Sequence, residues 1–213
     1  MKKFVILFAI LFCGRTILLA QDYEPFKPSI KMKFYSGLSL PMGNFGSGSG
    51  NSAGYANTGF FGSVEGLKSL NENLNLMLSL AVSINQLDVE TLDKRTWNFT
   101  ASTESYYSTW LLAGLQGGPE RESNFEIFFS ASIGLLYVSF PELIVNNIKH
   151  TSENTVAFAF GIGSGVEFER LNFGIRYLHG FPEYSGTGNI LYPGTSAASS
   201  LGILLLMLGV SFG

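Results

Sequence analysis

Six charged side chains stand out, because each falls where a two-residue alternation turns it away from its apolar neighbours: Lys31, Lys33, Glu65, Glu126, Glu167 and Arg176. Three are cations and three are anions. Charges that share an enclosed space must be paired, since an isolated buried ion is very costly. Two chemistries follow. One is a structural plug of Lys, Glu and Arg that fills an interior and sets the register of the elements around it. The other is a path for protons or ions. The plug is the expectation and the path its alternative.

Other candidate chemistry thins out quickly. Gly43-Asn-Phe-Gly-Ser-Gly-Ser-Gly-Asn-Ser52 has the glycine content of a phosphate cradle, but it lacks the Gly-Lys-Ser/Thr ending and no helix follows it. A flexible surface loop is expected instead. His150 lies in a loop with no metal-ligand partner nearby in sequence. Asn98-Phe-Thr100 matches a glycosylation sequon, and the match is read as one of chance. No cofactor motif is present and no cofactor is expected.

The first residues carry a compartment signal. Met1-Lys2-Lys3 is basic, 4–12 is an unbroken apolar run, and Leu18-Leu19-Ala20 precedes Gln21. Basic, apolar and small-residue regions in that order describe a secretory signal peptide over 1–20. The run is too short for a membrane helix, which needs about 20 apolar residues, and Arg15 interrupts it. A lipid anchor at Cys13 is disfavoured by the bulky Phe12 before it. Without the signal the chain has no cysteine, which excludes disulfides and thiol catalysis and removes the ligands of most structural zinc sites. Lys+Arg then falls from 13 to 10 against 16 acids, a net charge of −6. An acidic chain without a Lys/Arg-rich stretch gives no reason to expect nucleic acid as a partner.

The elements that must hold these charges leave their mark on the composition, which is poor in charge (14%) and rich in aromatics (14%), with 19 Phe and 25 Gly. Soluble domains carry charges at about 25%. Beyond the signal no stretch reaches the length of a membrane helix, so the apolar content must be spread over elements that each show it on one face. Residues 74–86 do this most clearly: Leu74, Leu76, Leu78, Leu80, Val82 and Ile84 alternate with Asn75, Met77, Ser79, Ala81, Ser83 and Asn85. That is a strand with one apolar and one small or polar face. Segments 125–137 and 156–168 repeat it. Weaker strands are expected at 30–40, 59–69 (whose facing is ambiguous), 106–116 and 171–181. Segment 200–212 is apolar on both faces and could equally be a helix; its place at the end of a strand series decides for strand.

Eight strands result, each as long as the roughly 9–11 residues a tilted membrane strand needs. Connections 70–73, 117–123 and 169–172 are short, whereas 42–58, 87–105, 140–154 and 182–199 are long. Short turns at one end and long loops at the other is the asymmetry of outer-membrane barrels, with the long loops outside the cell and both termini in the periplasm. The expected fold is therefore all-β, an eight-stranded antiparallel up-and-down transmembrane barrel over 21–213. A soluble barrel would turn Lys- and Glu-rich faces outward, yet the non-apolar set is mostly Gly, Ser, Ala and Asn, which suits a filled interior. Tyr106, Tyr107, Tyr137, Phe140, Tyr177 and Phe181, near strand ends, are expected in interfacial girdles.

Phe158-Ala-Phe-Gly-Ile-Gly-Ser-Gly-Val-Glu-Phe168, followed by Leu171-Asn-Phe-Gly-Ile-Arg-Tyr177, resembles the last-but-one hairpin of the small outer-membrane β-barrel family, which includes OmpA-like and OmpX-like, porin-family barrels. Leu208-Gly-Val-Ser-Phe212 is similar to that family's final strand. The resemblance implies that Phe212 is read by the barrel-assembly machinery, although Gly213 follows it where the family ends on the aromatic. It also implies residence in the outer membrane among its lipids. Gln21 after the cleavage site resembles exported proteins of the Bacteroidetes group.

Some barrels of this size are lipid A deacylases that use His, Ser and an acid on late strands. This chain offers His179, Glu183 and Ser185, with Tyr192-Pro-Gly194 beyond, but Phe181 stands where the His-x-Ser spacing requires serine. Three functions are thus carried forward. The first is a closed structural or surface-interaction barrel that meets an extracellular ligand or partner through four long loops. The second is a narrow conduit or carrier for small solutes, apolar ones among them. The third, least favoured, is the lipid-modifying enzyme. No enzymatic activity is expected.

Overall fold

The computed structural model describes residues 29–49, 54–91, 105–118, 125–141, 143–145, 148–150, 154–184, 197–198 and 200–213. The expected signal over 1–20, the Asn98 sequon, Ser185 and Tyr192 lie outside them, as do the side chains of 142–150. Eight long strands form a closed barrel: β1 (Ile30–Met42), β2 (Gly59–Asn71), β3 (Leu74–Gln86), β4 (Ser105–Gly117), β5 (Phe125–Ser139), β6 (Thr155–Phe168), β7 (Leu171–Gly180) and β8 (Leu201–Phe212). Every neighbour is antiparallel and next in sequence, and β8 closes on β1. The chain is an eight-stranded up-and-down β-barrel. Two short ribbons extend it at the long-loop end, Leu143–Val145 with Ile148–His150 and Glu183–Tyr184 with Ala197–Ala198.

Register fixes the bore. The paired row that leaves Met32 runs through Gly66, Leu78, Ala113, Ile133, Phe160, His179 and Gly202 and returns to β1 at Met42, ten residues further along. An even offset keeps outward residues outward all the way round, as a period of two demands. Eight strands with this stagger leave an interior wide enough only for side chains or one small ligand.

The two faces divide as the alternation requires. Outward positions form a continuous apolar belt, including Phe34, Leu38, Phe60, Val64, Leu76, Leu78, Leu80, Leu111, Phe129, Ile133, Phe158, Ile162, Ile175 and Leu208, all exposed. Exposed apolar surface on this scale is foreign to a soluble monomer, whereas a closed barrel with every backbone group paired can face hydrocarbon. Ambiguity at β2 is resolved by register: Phe61, Ser63, Glu65 and Leu67 are buried inside, and Phe60 and Val64 face out. Segment β8 is apolar on both sides because Leu201, Ile203, Leu205 and Met207 point into the barrel and pack there.

Two expectations about the rim are corrected. Tyr106 and Phe140 are not girdle residues; both are buried within the mouth, edge to face with each other. The physical reason is parity, since Tyr107 faces out and its neighbour must then face in. The Gly/Ser-rich connection after β1 is also more than a surface loop. Phe45, within it, is only 1% exposed and stacks edge-on against Tyr106 at 5.1 Å.

Candidate functional site

The lumen has two storeys, and small residues make room for both. On β6 the inward positions are Ala157, Ala159, Gly161, Gly163, Gly165 and Glu167. A Cβ on Gly165 would meet the Phe128 ring at 2.5 Å, and one on Gly163 would come within 3.2 Å of Arg176. Glycine on β6 is therefore what lets a phenyl ring and a guanidinium from neighbouring strands reach the axis.

The storey nearer the short turns is ionic. Lys31 Nζ and Lys33 Nζ reach opposite oxygens of Glu167 at 2.6 and 3.0 Å, and Ser211 Oγ donates to the same carboxylate at 2.8 Å. Lys33 is fully buried and also lies 4.4 Å above the Phe128 ring, a cation–π contact. Across the bore, Arg176 pairs with Glu65 through Nη1 and Oε1, and Ser79 Oγ donates to that oxygen at 3.3 Å. Lys33 and Glu65 are register partners on β1 and β2, so the two clusters abut. Five of the six charges singled out in the sequence are thus drawn into ion pairs. Glu126 is not: it stands half-buried at the rim, opposite Glu167 in register, and joins no ion pair among the described residues.

The storey nearer the long loops is apolar. Phe61, Ala81, Trp110, Leu112, Leu136, Val138, Ala159, Leu178, Leu201, Ile203 and Leu205 form one cluster that continues into Phe45, Tyr55, Ala56, Leu87, Tyr106 and Phe140 at the mouth. The first long connection is pinned there by several bonds. Tyr106 Oη donates to the Gly54 carbonyl at 2.7 Å, and Asn85 Nδ2 donates to the carbonyls of Asn57 and Ser39. Ser39 Oγ in turn donates to Asn85 Oδ1 at 3.0 Å. Sequence reasoning missed this cap. Its signal was an aromatic, Phe45, inside a glycine- and serine-rich run, together with the inward parity of Asn85 and Tyr106.

His179 faces outward near the long-loop end. It lies in a patch of rings with Phe160, Tyr177 and Phe181, and its Nδ1 is 2.8 Å from Tyr177 Oη. Its polar partner is a tyrosine, and Glu183 begins a separate ribbon. The residues of a hydrolytic triad are not brought together among the described residues. Of His150 only the strand backbone is described. No group of three or more His, Cys, Asp or Glu among the described residues could hold a metal ion. Lower on the outer wall, where Gly165 and Gly174 face each other across β6 and β7, a shallow groove opens between Leu38, Phe173, Ile175, Leu206 and Leu208. It lies within the lipid belt.

No protein-family model matches the sequence, and no curated protein does. Solved structures do. The chain is similar to Neisserial surface protein A at 12% identity, over 87% of this chain and 98% of that one, with a TM-score of 0.50. It is likewise similar to the outer membrane protein OprG from Pseudomonas aeruginosa at 10% identity, over 85% and 95%, with a TM-score of 0.50. Such a likeness establishes the fold. Closed barrels with a lipid-facing belt of this kind belong to the outer membrane of Gram-negative cells, and that is where this chain resides.

Proposed function

We propose that this outer-membrane barrel works as a closed scaffold whose four long loops meet an extracellular ligand or surface partner. The observation that carries the reading is a lumen occupied along its length, by ion pairs at one end, an apolar cluster at the other and Phe45 in the mouth. A conduit needs a bore clear of side chains, whereas recognition commonly resides on loops held by a rigid scaffold. Planar-bilayer recording tests the closure: the purified barrel is expected to add no steady conductance, and a sustained current would overturn the reading. The loop role is tested by replacing 140–154 or 182–199 with short turns. Adhesion of expressing cells to protein- and polysaccharide-coated surfaces should fall, and adhesion unchanged by either trimming would remove that role.

The ion-pair set is proposed as structural, a plug that sets register. Phe212, exposed to lipid and edge-on to Phe34 at 5.9 Å, is proposed as the side chain read by the assembly machinery. Phe212→Ser should lower the folded, heat-modifiable fraction in cells yet leave refolding into detergent unchanged. Equal cellular yields would count against it.

A further inference from the structure

The apolar storey of the lumen is not wholly apolar. On the inward face of β4, Tyr106, Ser108 and Trp110 descend from the mouth at successive alternate positions, and Ser83 on β3 is the register partner of Ser108. Ser83, Ser108 and Trp110 are buried to 1% exposure or less, and among the described residues Ser83 Oγ, Ser108 Oγ and Trp110 Nε1 have no hydrogen-bond partner. Buried hydroxyl and indole groups normally find partners, because leaving one unpaired forfeits its hydration with nothing in return. These three atoms lie on adjoining strands at inward-facing positions, polar groups set into an apolar wall.

Directly above them sits Phe45. It stacks on Tyr106, the residue two places above Ser108, and it belongs to a loop rather than to the sheet. Loop segments are drawn from the least stable parts of a fold. Leu136, Val138, Leu201 and Ile203 complete the wall. The ionic storey forms the floor, and among the described residues no charged side chain faces the lumen above Arg176.

We infer that the outer half of the lumen is a ligand site, with Phe45 as its built-in occupant. It would take a neutral, ring-sized apolar molecule bearing one hydroxyl or amide that can satisfy Ser83, Ser108 and Trp110. The absence of charge rules against ions and zwitterions. The blocked floor makes the site a cup rather than a channel, in keeping with the one small ligand an eight-stranded barrel can hold. The inference goes beyond the outward role of the loops and does not depend on it: loop trimming tests that role, and lumen substitutions test this one.

The test uses the full barrel in detergent micelles with Trp97→Phe, which leaves Trp110 as the sole indole. The probes are benzyl alcohol and toluene, which differ by the hydroxyl. The ¹H–¹⁵N resonance of the Trp110 indole is followed during titration. Benzyl alcohol is expected to shift it saturably. Phe45→Ala should tighten that response about tenfold, as expected if the ring occupies the site in about nine-tenths of molecules. Toluene should bind roughly fivefold more weakly or worse, the scale of one hydrogen bond. Ser83→Ala with Ser108→Ala should erase most of that difference. A linear, non-saturating shift, or equal responses to the two probes in the Phe45→Ala barrel, would overturn the site. Should Phe45→Ala fail to fold on heat-modifiable gels, the serine pair variant in the Phe45 background decides the matter by the same comparison of probes.

Discussion

Arg176 and Glu65 show how a single buried pair can be costly to break without being a net source of stability. Both side chains are at most 2% exposed, so each has surrendered its hydration and depends on the other. Removing one partner strands the other, at about 3–5 kcal/mol, whereas replacing both with apolar groups of similar size is often neutral. Arg176→Met alone is therefore expected to destabilise the barrel by about that amount. Adding Glu65→Leu to it should restore most of the loss. Urea unfolding of the detergent-refolded barrel measures both, and a double variant no more stable than the single would show that the pair does not act as a unit. The six charges were legible in the sequence because period two assigns a face to every strand residue once one neighbour is known. Which cation meets which anion was not legible. Lys31 and Lys33 on β1 meet Glu167 on β6, two strands beyond the β1–β8 seam, and that contact depends on the stagger of the closed barrel, which alternation alone leaves open. Glu126 shares the parity of the others yet stays at the rim, because its strand begins there.

The elements themselves were readable because strand length, alternation and loop asymmetry point the same way. All eight strands lie where those patterns put them, within a residue or two at most ends. The errors gather at the mouth. Tyr106 and Phe140 look like girdle aromatics by composition, but the parity set by Tyr107, Leu111 and Leu115 turns Tyr106 inward. Phe45 was invisible to periodicity because it lies outside any strand. At the opposite end, the β6–β7 hairpin turns on Glu169-Arg170, and Glu169 adopts φ +54°. That left-handed conformation is costly for a residue with a Cβ and free for glycine. Glu169→Gly should thus stabilise the hairpin by about 0.5–1 kcal/mol, seen as a higher urea midpoint with an unchanged slope. A lower midpoint would mean that the Glu169 side chain contributes more than its backbone strain removes.

For the whole molecule, the belt and the filling make separate demands. A charge placed on the belt must enter hydrocarbon. Leu78 faces out near mid-strand on β3, so Leu78→Arg is expected to cost about 2–4 kcal/mol, the value for arginine near the bilayer midplane. Refolding equilibria in lipid vesicles would register it, and a cost below about 1 kcal/mol, the interfacial value, would move Leu78 out of the hydrocarbon zone. The filling demands something different, because its two storeys lie in series along one bore. Ions must pass both the paired charges around Arg176 and Glu167 and the apolar cluster around Trp110 and Phe45. Barriers in series are not removed one at a time. Opening one side of the ionic storey with Arg176→Ala and Glu65→Ala leaves a dry apolar segment above, which excludes ions by dewetting. Emptying the apolar storey with Trp110→Ala and Phe45→Ala leaves the ion pairs as a stopper below. Each pair of substitutions alone should leave planar-bilayer recordings silent, while the four together should conduct, with every barrel first shown to be folded by its heat-modifiable migration. Conduction after emptying a single storey would mean that one layer carries the closure alone. Silence in the fourfold variant would place the stopper in residues common to all of them, the Lys33–Glu167 pair below or the capped mouth around Tyr106 and Asn85.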